Sequence, residues 1–127
     1  MLNTVFKDAI INREKTLSIL KGPEYEKIIQ KAKENASHTI KIEVEVESIK
    51  QAEEAVRAGA DIILLDNMAP EDMKIAVAAC LNKAVTEASG GINLSTVRAV
   101  AETGVDLISV GAITHSAPNL DLSLDID

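Results

Sequence analysis

The stretch Thr39-Ile-Lys-Ile-Glu-Val-Glu-Val-Glu-Ser48 alternates apolar and polar side chains along its length. In an extended strand, successive side chains point to opposite faces. The stretch therefore has two faces, one made by Ile40, Ile42, Val44 and Val46 and the other by Lys41, Glu43, Glu45 and Glu47. Such alternation is typical of an antiparallel strand with one face in water. In a parallel strand it requires a polar space for the acids, such as the mouth of a barrel.

Strand-like segments recur downstream at a nearly constant spacing. They begin at Thr39, Asp61, Ala84 and Asp106, which are 22, 23 and 22 residues apart. The segment Ala58-Gly-Ala-Asp-Ile-Ile63 is echoed two units later by Thr103-Gly-Val-Asp-Leu-Ile108. Repetition of this kind, with a helix between successive strands, predicts an α/β fold with parallel strands.

Helix signals occupy the segments between these strands. Ser48 and Gln51 have the spacing of a capping box, and the helix that they open is expected to stop at Gly59. Pro70, followed by two acids, opens the next helix. A further helix is expected from about residue 94 to residue 104. Each helix would return the chain to the start of the next parallel strand.

A fifth unit is expected before Thr39. Its short buried strand is predicted at 8–12 and its helix at 23–35, with inward-facing positions at Tyr25, Ile28, Ile29 and Ala32. The spacing fits both an open doubly wound sheet and a barrel. The polar face of 39–47 favours the barrel. The predicted architecture is therefore a partial (βα) TIM-type barrel of about five βα units, with residues 1–127 in one domain.

Composition argues against several classes of function. The net charge is −7, and because affinity for nucleic acid comes from clustered Lys and Arg, no nucleic-acid partner is expected. The sequence shows no signal peptide and no apolar run of spanning length, which predicts no membrane partner and a cytoplasmic location. Cys80 lies among alanines and Val77, and it is expected to be a buried small hydrophobe rather than a nucleophile.

Polar residues gather where the predicted strands end, which is where ligands bind in both candidate architectures. The residues delivered there are Glu45 and Glu47, Asp66 and Asn67, Ser89 to Gly91, and Gly111 to His115. Glycine lets backbone amides approach an oxyanion closely. The last two units therefore predict a phosphate site made of Ser89, Gly90, Gly91, Gly111 and Ala112. The alternative is that Gly90-Gly91 is only a tight turn between strand and helix.

Glu45 and Asp66 come from neighbouring strands and could share one ligand. A pair of carboxylates suits ribose hydroxyls, a metal ion or a developing cation. The alternative is a solvated strand face, although Asp66 ends an otherwise apolar strand. Asn67 has the residue type of a turn. His115 could donate to phosphate or act on a leaving group, but a lone histidine is more often structural.

Seven short stretches, taken in order, resemble one family. They are Lys41-Ile-Glu-Val-Glu-Val-Glu47, Ile63-Leu-Leu-Asp-Asn67, Glu87-Ala-Ser-Gly-Gly-Ile92, Glu102-Thr-Gly-Val-Asp106, Ser109-Val-Gly-Ala112, Thr114-His-Ser116 and Leu120-Asp-Leu-Ser-Leu124. From about Ala36 onward the chain looks like the carboxyl-terminal half of the quinolinate phosphoribosyltransferases, also called nicotinate-nucleotide pyrophosphorylases (carboxylating). Residues 1–35 resemble the family weakly.

The resemblance implies an enzyme of NAD biosynthesis. Such an enzyme converts quinolinate and 5-phosphoribosyl 1-diphosphate to nicotinate mononucleotide, diphosphate and carbon dioxide, with Mg²⁺. By analogy, Glu45 and Asp66 would hold the ribose hydroxyls and the metal, and would stabilise the ribosyl cation as diphosphate leaves. Ser89, Gly90 and Gly111 would bind phosphate, with His115 beside them.

The resemblance also implies what these 127 residues do not carry. The family enzymes are considerably longer, and their amino-terminal sandwich domain and early barrel strands, which grip the carboxylates of quinolinate, are absent. Where the family tends to show lysine, acid, asparagine and histidine at a strand end, this chain has Asn12-Arg13-Glu14-Lys15-Thr16. Arg13 is a candidate anion-binding residue, although arginine does not replace lysine neutrally at a fitted site.

An incomplete barrel leaves sheet edges and apolar surface open. A homo-oligomer, or a separate chain that supplies the other half, is therefore expected. The alternative function is a non-catalytic module that binds a phosphorylated ligand or completes a barrel with another chain.

Overall fold

The computed structural model describes residues 16–19, as backbone, and residues 25–111. Strands and helices alternate throughout these ranges. They are β1 (Thr16–Ile19), α1 (Tyr25–Asn35), β2 (Lys41–Val46), α2 (Ile49–Arg57), β3 (Ile62–Asp66), α3 (Pro70–Cys80), β4 (Val85–Ser89), α4 (Val97–Ala101) and β5 (Leu107–Ile108). The predicted α/β fold and the extra unit before Thr39 are confirmed. The strand predicted at 8–12 lies outside the described residues, and β1 lies in a segment for which no strand was predicted.

The five strands form one parallel sheet in the order β1-β2-β3-β4-β5. A doubly wound sheet would require the strand order to reverse, and this one does not. Successive helices are also in contact with one another, α1 with α2, α2 with α3 and α3 with α4. They therefore form a single layer on one face of the sheet. The described part of the chain is a partial (βα) barrel, and the open doubly wound alternative is wrong.

Strand register divides the sheet into an outer face, covered by the helices, and an inner face. Val44 of β2 pairs with Ile63 of β3, and both side chains are fully buried in the core beneath the helices. Glu45, the next residue of β2, pairs with Leu64 and so points to the inner face. The two faces predicted for the stretch 39–48 are confirmed, because the apolar residues of β2 pack under the helices and the acids face inward.

The helical layer packs on the outer face as the spacing of its apolar residues predicts, with one exception. Ala52 and Ala55 of α2 are fully buried. Cys80, at the end of α3, is also fully buried, which confirms the prediction of a small buried hydrophobe. In α1 the buried residues are Tyr25 and Ile29, whereas Ile28 remains 39% exposed. The inward position predicted for Ile28 is therefore wrong, because the stripe that α1 buries is narrower than the predicted one.

The echoed Gly-x-Asp segments have a common structural role. Asp61 precedes β3, and its Oδ2 accepts a hydrogen bond of 2.8 Å from the backbone N–H of Ile42 in β2. Asp106 precedes β5, and its Oδ2 accepts 2.8 Å bonds from both the N–H and the hydroxyl of Thr86 in β4. In both units the carboxylate joins the starts of two neighbouring strands. These aspartates therefore brace the edge of the sheet opposite the predicted site.

A side-chain cap opens α2, and a tight turn delays the start of α4. The Oγ of Ser48 accepts from the N–H of Gln51 at 3.3 Å, and the Oε1 of Gln51 accepts from the N–H of Glu47 at 2.8 Å. The predicted box is confirmed, with its return bond one residue earlier than in the standard arrangement. The helix expected from residue 94 begins only at Val97, because Asn93 and Thr96 bond to each other across a tight turn.

No helix in the described ranges has the length and apolar character needed to cross a membrane.

Candidate functional site

Three of the predicted site residues share the inner face at the carboxyl-terminal edge of the sheet. Asp66 and Ser89 end β3 and β4 and are register partners. Glu45 lies on β2 beside Leu64, two residues before Asp66, so it sits one level below Asp66 on the neighbouring strand. Each of the three is neither fully buried nor fully exposed. The structure thus places two carboxylates and a hydroxyl on one inner wall that a ligand can reach.

The turns after β3 and β4 are joined by Asn67. Its N–H donates to the carbonyl oxygen of Ser89 at 2.9 Å, and its side-chain amide donates to the Oδ1 of Asp66 at 3.4 Å. Asn67 has φ 51°, a left-handed conformation that asparagine tolerates better than most residues. Asn67 thus adopts the turn conformation that was one of its two alternatives, and the same residue also bonds to the carboxylate of Asp66.

Gly90 is required by this arrangement. It has φ 89°, and a Cβ atom on it would lie 2.5 Å from the Oδ1 of Asn67 and 2.9 Å from the backbone nitrogen of Asn67. Gly91 has φ 62°, but among the described residues the nearest atom to a Cβ there is the Oδ1 of Asn67, at an ordinary contact distance of 3.7 Å. The turn therefore demands glycine at position 90 for two independent reasons. Its shape does not exclude phosphate binding, since glycine also leaves the backbone open to a ligand.

Glu87 is a residue of the inner face that the reasoning about strand ends did not select. It is 2% exposed and accepts a hydrogen bond from the hydroxyl of Ser109 through its Oε1. It stands in one row with Leu64 and Glu45, and it lies two residues before Ser89 on β4. The sequence does contain a sign of this position. Residues 87 and 89 are two apart on one strand, so both side chains point to the inner face.

The remaining predicted residues divide into described and undescribed positions. Glu47 follows β2 and is exposed. Its N–H donates a hydrogen bond to the Oε1 of Gln51 at the start of α2. Gly111 is an exposed turn residue shortly after β5. Arg13, Ala112 and His115 lie outside the described residues, so the proposed anion contacts of these three stay predictions. The described part of the predicted site therefore consists of Glu45, Asp66 and the turn 89–91, with Gly111 at the end of the next strand.

Glu45 and Asp66 are the side chains at this edge with the oxygen ligands that a divalent cation prefers. Within residues 25–111, no group of three or more His, Cys, Asp or Glu side chains is arranged to hold one. Mg²⁺ does not need such a cage, because it is commonly bound by one or two carboxylates with water and substrate phosphate oxygens as the other ligands. Glu45 and Asp66 thus fit a magnesium ion that arrives with a phosphorylated ligand.

A cavity of about 440 Å³ lies at the other end of the strands. Lys41, Asp61, Asp106 and Cys80 are among the residues that line it. Burial raises the pKa of the Cys80 thiol, and the positive charge of Lys83 offsets part of that shift. A raised pKa disfavours the reactive thiolate. This cavity lies at the opposite end of the strands from the predicted phosphate site, and its thiol is not activated as a nucleophile. We therefore do not assign the predicted chemistry to it.

Comparison with known proteins gives a consistent result. Residues 5–125 match the family described as Quinolinate phosphoribosyl transferase, C-terminal domain. A probable nicotinate-nucleotide pyrophosphorylase (carboxylating) of Bacillus subtilis is 43% identical over 97 residues, which cover 76% of this chain and 34% of the relative. One of Methanocaldococcus jannaschii is 40% identical over 126 residues, covering 94% of this chain and 44% of the relative.

Solved structures extend the similarity to the fold. The nicotinate-nucleotide pyrophosphorylase from Francisella tularensis superposes with a TM-score of 0.77 at 40% identity, over 86% of this chain and 40% of that one. QR15, an aldolase, matches with a TM-score of 0.60 at 23% identity, over 85% of this chain and 61% of that one, which shows likeness of fold alone.

This chain spans 34% and 44% of the length of the two curated relatives named above. Its family follows from the match of nearly the whole chain and from the shared fold. The chain belongs to the quinolinate phosphoribosyl transferase family, matching its C-terminal domain.

Proposed function

We propose that this chain carries the phosphoribosyl-binding part of an enzyme that transfers a phosphoribosyl group from 5-phosphoribosyl 1-diphosphate to quinolinate. The products would be nicotinate mononucleotide, diphosphate and carbon dioxide. The relatives of Bacillus subtilis and Methanocaldococcus jannaschii are named for this activity. The observation that carries the proposal is the placement of Glu45 and Asp66 on one inner wall beside the turn that begins at Ser89.

The two carboxylates suit the sugar end of the donor. As diphosphate leaves, positive charge develops on the ribosyl carbon, and fixed negative charges nearby stabilise it. The Asn67 amide donates to the Oδ1 of Asp66, which holds this carboxylate at the end of β3, where such a charge is needed. Glu45 and Asp66 would also hold ribose hydroxyls. A bound Mg²⁺ would supply charge neutralisation at the diphosphate, with Glu45 and Asp66 as its protein ligands.

The turn 89–91 suits the 5-phosphate of the same donor. Gly90 and Gly91 carry no side chain, so their backbone can approach an oxyanion, and the Ser89 hydroxyl can donate to it. Gly111, after the next strand, would add a second backbone approach. Ala112 and His115 would complete this binding site by analogy with the family. The net charge of −7 does not oppose the assignment, since backbone amides bind phosphate without a basic surface.

Quinolinate is a dianion, and the described inner face does not suit it. The charged residues there are Glu43, Glu45, Asp66 and Glu87, with Lys41 at the opposite end of β2. Acids repel carboxylates, so these 127 residues would bind the phosphoribosyl donor and would not by themselves turn over quinolinate. Arg13 is the candidate in this chain for contact with a quinolinate carboxylate.

The second candidate is a non-catalytic module that binds a phosphorylated ligand and completes a barrel with another chain. The short β5 favours it, because among the described strands this two-residue strand pairs only with β4 and ends the sheet. A homo-oligomer would serve the same purpose. The two candidates share the phosphate-binding turn and differ in whether Glu45 and Asp66 act in chemistry.

A chimera separates the candidates. The matched segment of the Bacillus subtilis relative is replaced by the matching segment of this chain, and formation of nicotinate mononucleotide is measured with both substrates and Mg²⁺. We expect activity in the chimera and a loss of at least about a hundredfold with Asp66→Asn or Glu45→Gln. Glu53→Gln, which neutralises an exposed acid on α2, is the matched control. A folded but inactive chimera, or one indifferent to Asp66→Asn, would contradict the enzyme proposal.

A further inference from the structure

The hydroxyl of Ser109 and the carboxylate of Glu87 join β5 to β4 just below the two turns assigned to phosphate. Glu87 precedes Ser89 by two residues, and Ser109 precedes Gly111 by two residues. The Ser109 hydroxyl donates to the Oε1 of Glu87. Each end of this hydrogen bond is thus two residues from a residue of the proposed phosphate site.

The bond matters because β5 is short. Only Leu107 and Ile108 belong to the strand, opposite Glu87 and Ala88. Beyond them, the N–H of Ser109 donates to the carbonyl oxygen of Ala88 at 2.9 Å. That backbone bond and the side-chain bond to Glu87 continue the pairing of the two strands beyond β5, toward Gly111. A flexible strand end here would leave the separation of the two turns undefined.

Glu87 cannot be a direct ligand in this arrangement. It is 2% exposed, so a ligand in solution does not reach its side chain. It accepts instead a hydrogen bond from the Ser109 hydroxyl, as a buried polar group requires.

We infer that Glu87, acting through Ser109, is a positioning residue that sets the separation between the turn 89–91 and Gly111, so that one phosphate group can contact both. The inference rests on the proposed function. It adds to that function a pair of residues that never touch the ligand and yet determine its affinity.

The test uses ribose 5-phosphate as the probe and measures its dissociation constant by calorimetry, at a temperature where every variant is fully folded. Ser109→Ala removes the donor, and we expect binding about tenfold weaker. Ser109→Thr keeps the hydroxyl on a residue type that strands favour, and it should restore the wild-type affinity to within about threefold. Ser37→Ala, which removes an exposed hydroxyl far from the site, is the matched control.

A double-mutant cycle tests whether the two residues act together. Glu87→Ala should weaken binding about as much as Ser109→Ala, and the double variant should be no weaker than either alone. Thermal unfolding is recorded in parallel. A purely structural role would lower the Tm and leave the affinity of the folded variant unchanged. Should Glu87→Ala fail to fold, the comparison of Ser109→Ala with Ser109→Thr decides the matter alone.

The outcomes separate this inference from the function on which it rests. Wild-type affinity in Ser109→Ala, or additive losses in the cycle, would overturn the positioning role while leaving the phosphate site in place. Absence of binding by the folded wild-type chain would overturn the proposed function and this inference with it. A tenfold loss in Ser109→Ala with rescue by Ser109→Thr supports both.

Discussion

The side chain of Asn67 packs against Gly90 so closely that a Cβ atom on Gly90 would lie 2.5 Å from the Oδ1 of Asn67. The contact joins the ends of β3 and β4, and Asn67 bonds in turn to Asp66 and to the backbone of Ser89. A change at either residue is therefore transmitted to the carboxylate of Asp66 and to the backbone of Ser89.

Gly90→Ala is expected to lower the free energy of unfolding by at least about 2 kcal/mol, because a left-handed backbone conformation and a steric clash add together. Gly91→Ala has the strained φ without the clash, so about 1 kcal/mol is expected. Urea unfolding of the two variants measures the difference. Equal losses in the two would show that Asn67 yields easily and does not fix the turn.

Asp61 and Asp106, which brace the edge of the sheet opposite the proposed site, should contribute unequally to stability. Asp106→Ala removes the acceptor for two hydrogen bonds from Thr86 and is expected to cost about 2 kcal/mol of unfolding free energy. Asp61→Ala removes the bond from the Ile42 N–H and is expected to cost about 1 kcal/mol. Glu102→Ala, whose exposed carboxylate lies 3.8 Å from Arg98, is the control and should change stability little. The reverse order for Asp61 and Asp106 would refute the brace.

Burial of Cys80 predicts a dependence of stability on alkaline pH. Because burial raises the pKa of the thiol in the folded chain, the neutral thiol is favoured there, and its contribution to stability is complete below the pKa of an unfolded cysteine. As the pH rises above about 8.5, the unfolded state ionises first and the contribution declines. Unfolding measured from neutral to alkaline pH should therefore show a steeper decline for the wild type than for Cys80→Ala.

The same thiol should react slowly with a thiol reagent in the native chain and rapidly in denaturant. Rapid modification of the native protein at neutral pH would contradict its burial. It would also reopen a role for the cavity that Cys80 lines.

Self-association is expected from the surface of the described chain. Leu94 is 97% exposed and Leu81 is 66% exposed, and β5 ends the described sheet after two residues. Edges and exposed apolar side chains of this kind favour pairing with a second copy or another chain. Light scattering across a concentration series should show dimers or larger species. A monodisperse monomer at all concentrations would contradict the expectation.

The alternation of 39–48 and the regular strand spacing were sufficient to predict the α/β fold, the inner position of Glu45 and the edge at which Asp66 and Ser89 meet. These are properties of period and order, which the sequence contains directly. The strand order β1 to β5 had to come from the structure, because spacing alone fits both a barrel and a doubly wound sheet.

The structural roles that could not be predicted from the sequence depend on contacts between residues far apart in the chain. Asp61 and Asp106 were recognised as an echo, but their bonds to Ile42 and Thr86 join residues about 20 positions apart. Glu87 lies in the stretch Glu87-Ala-Ser-Gly-Gly-Ile92, but its burial depends on what packs against the inner face and not on the sequence of β4. The inward position predicted for Ile28 was wrong for a different reason. Helical spacing predicts which face of a helix is apolar, but not how much of that face the neighbouring elements cover.

The central claim is that Glu45 and Asp66 bind the ribose and diphosphate of 5-phosphoribosyl 1-diphosphate together with Mg²⁺. Calorimetric titration of the folded chain with this ligand, with and without Mg²⁺, tests it most directly. We expect binding that requires Mg²⁺, that is at least about tenfold weaker in Asp66→Asn, and that is unchanged in Glu53→Gln. Equal binding by Asp66→Asn and the wild type, or no binding by the folded wild type, would contradict the claim.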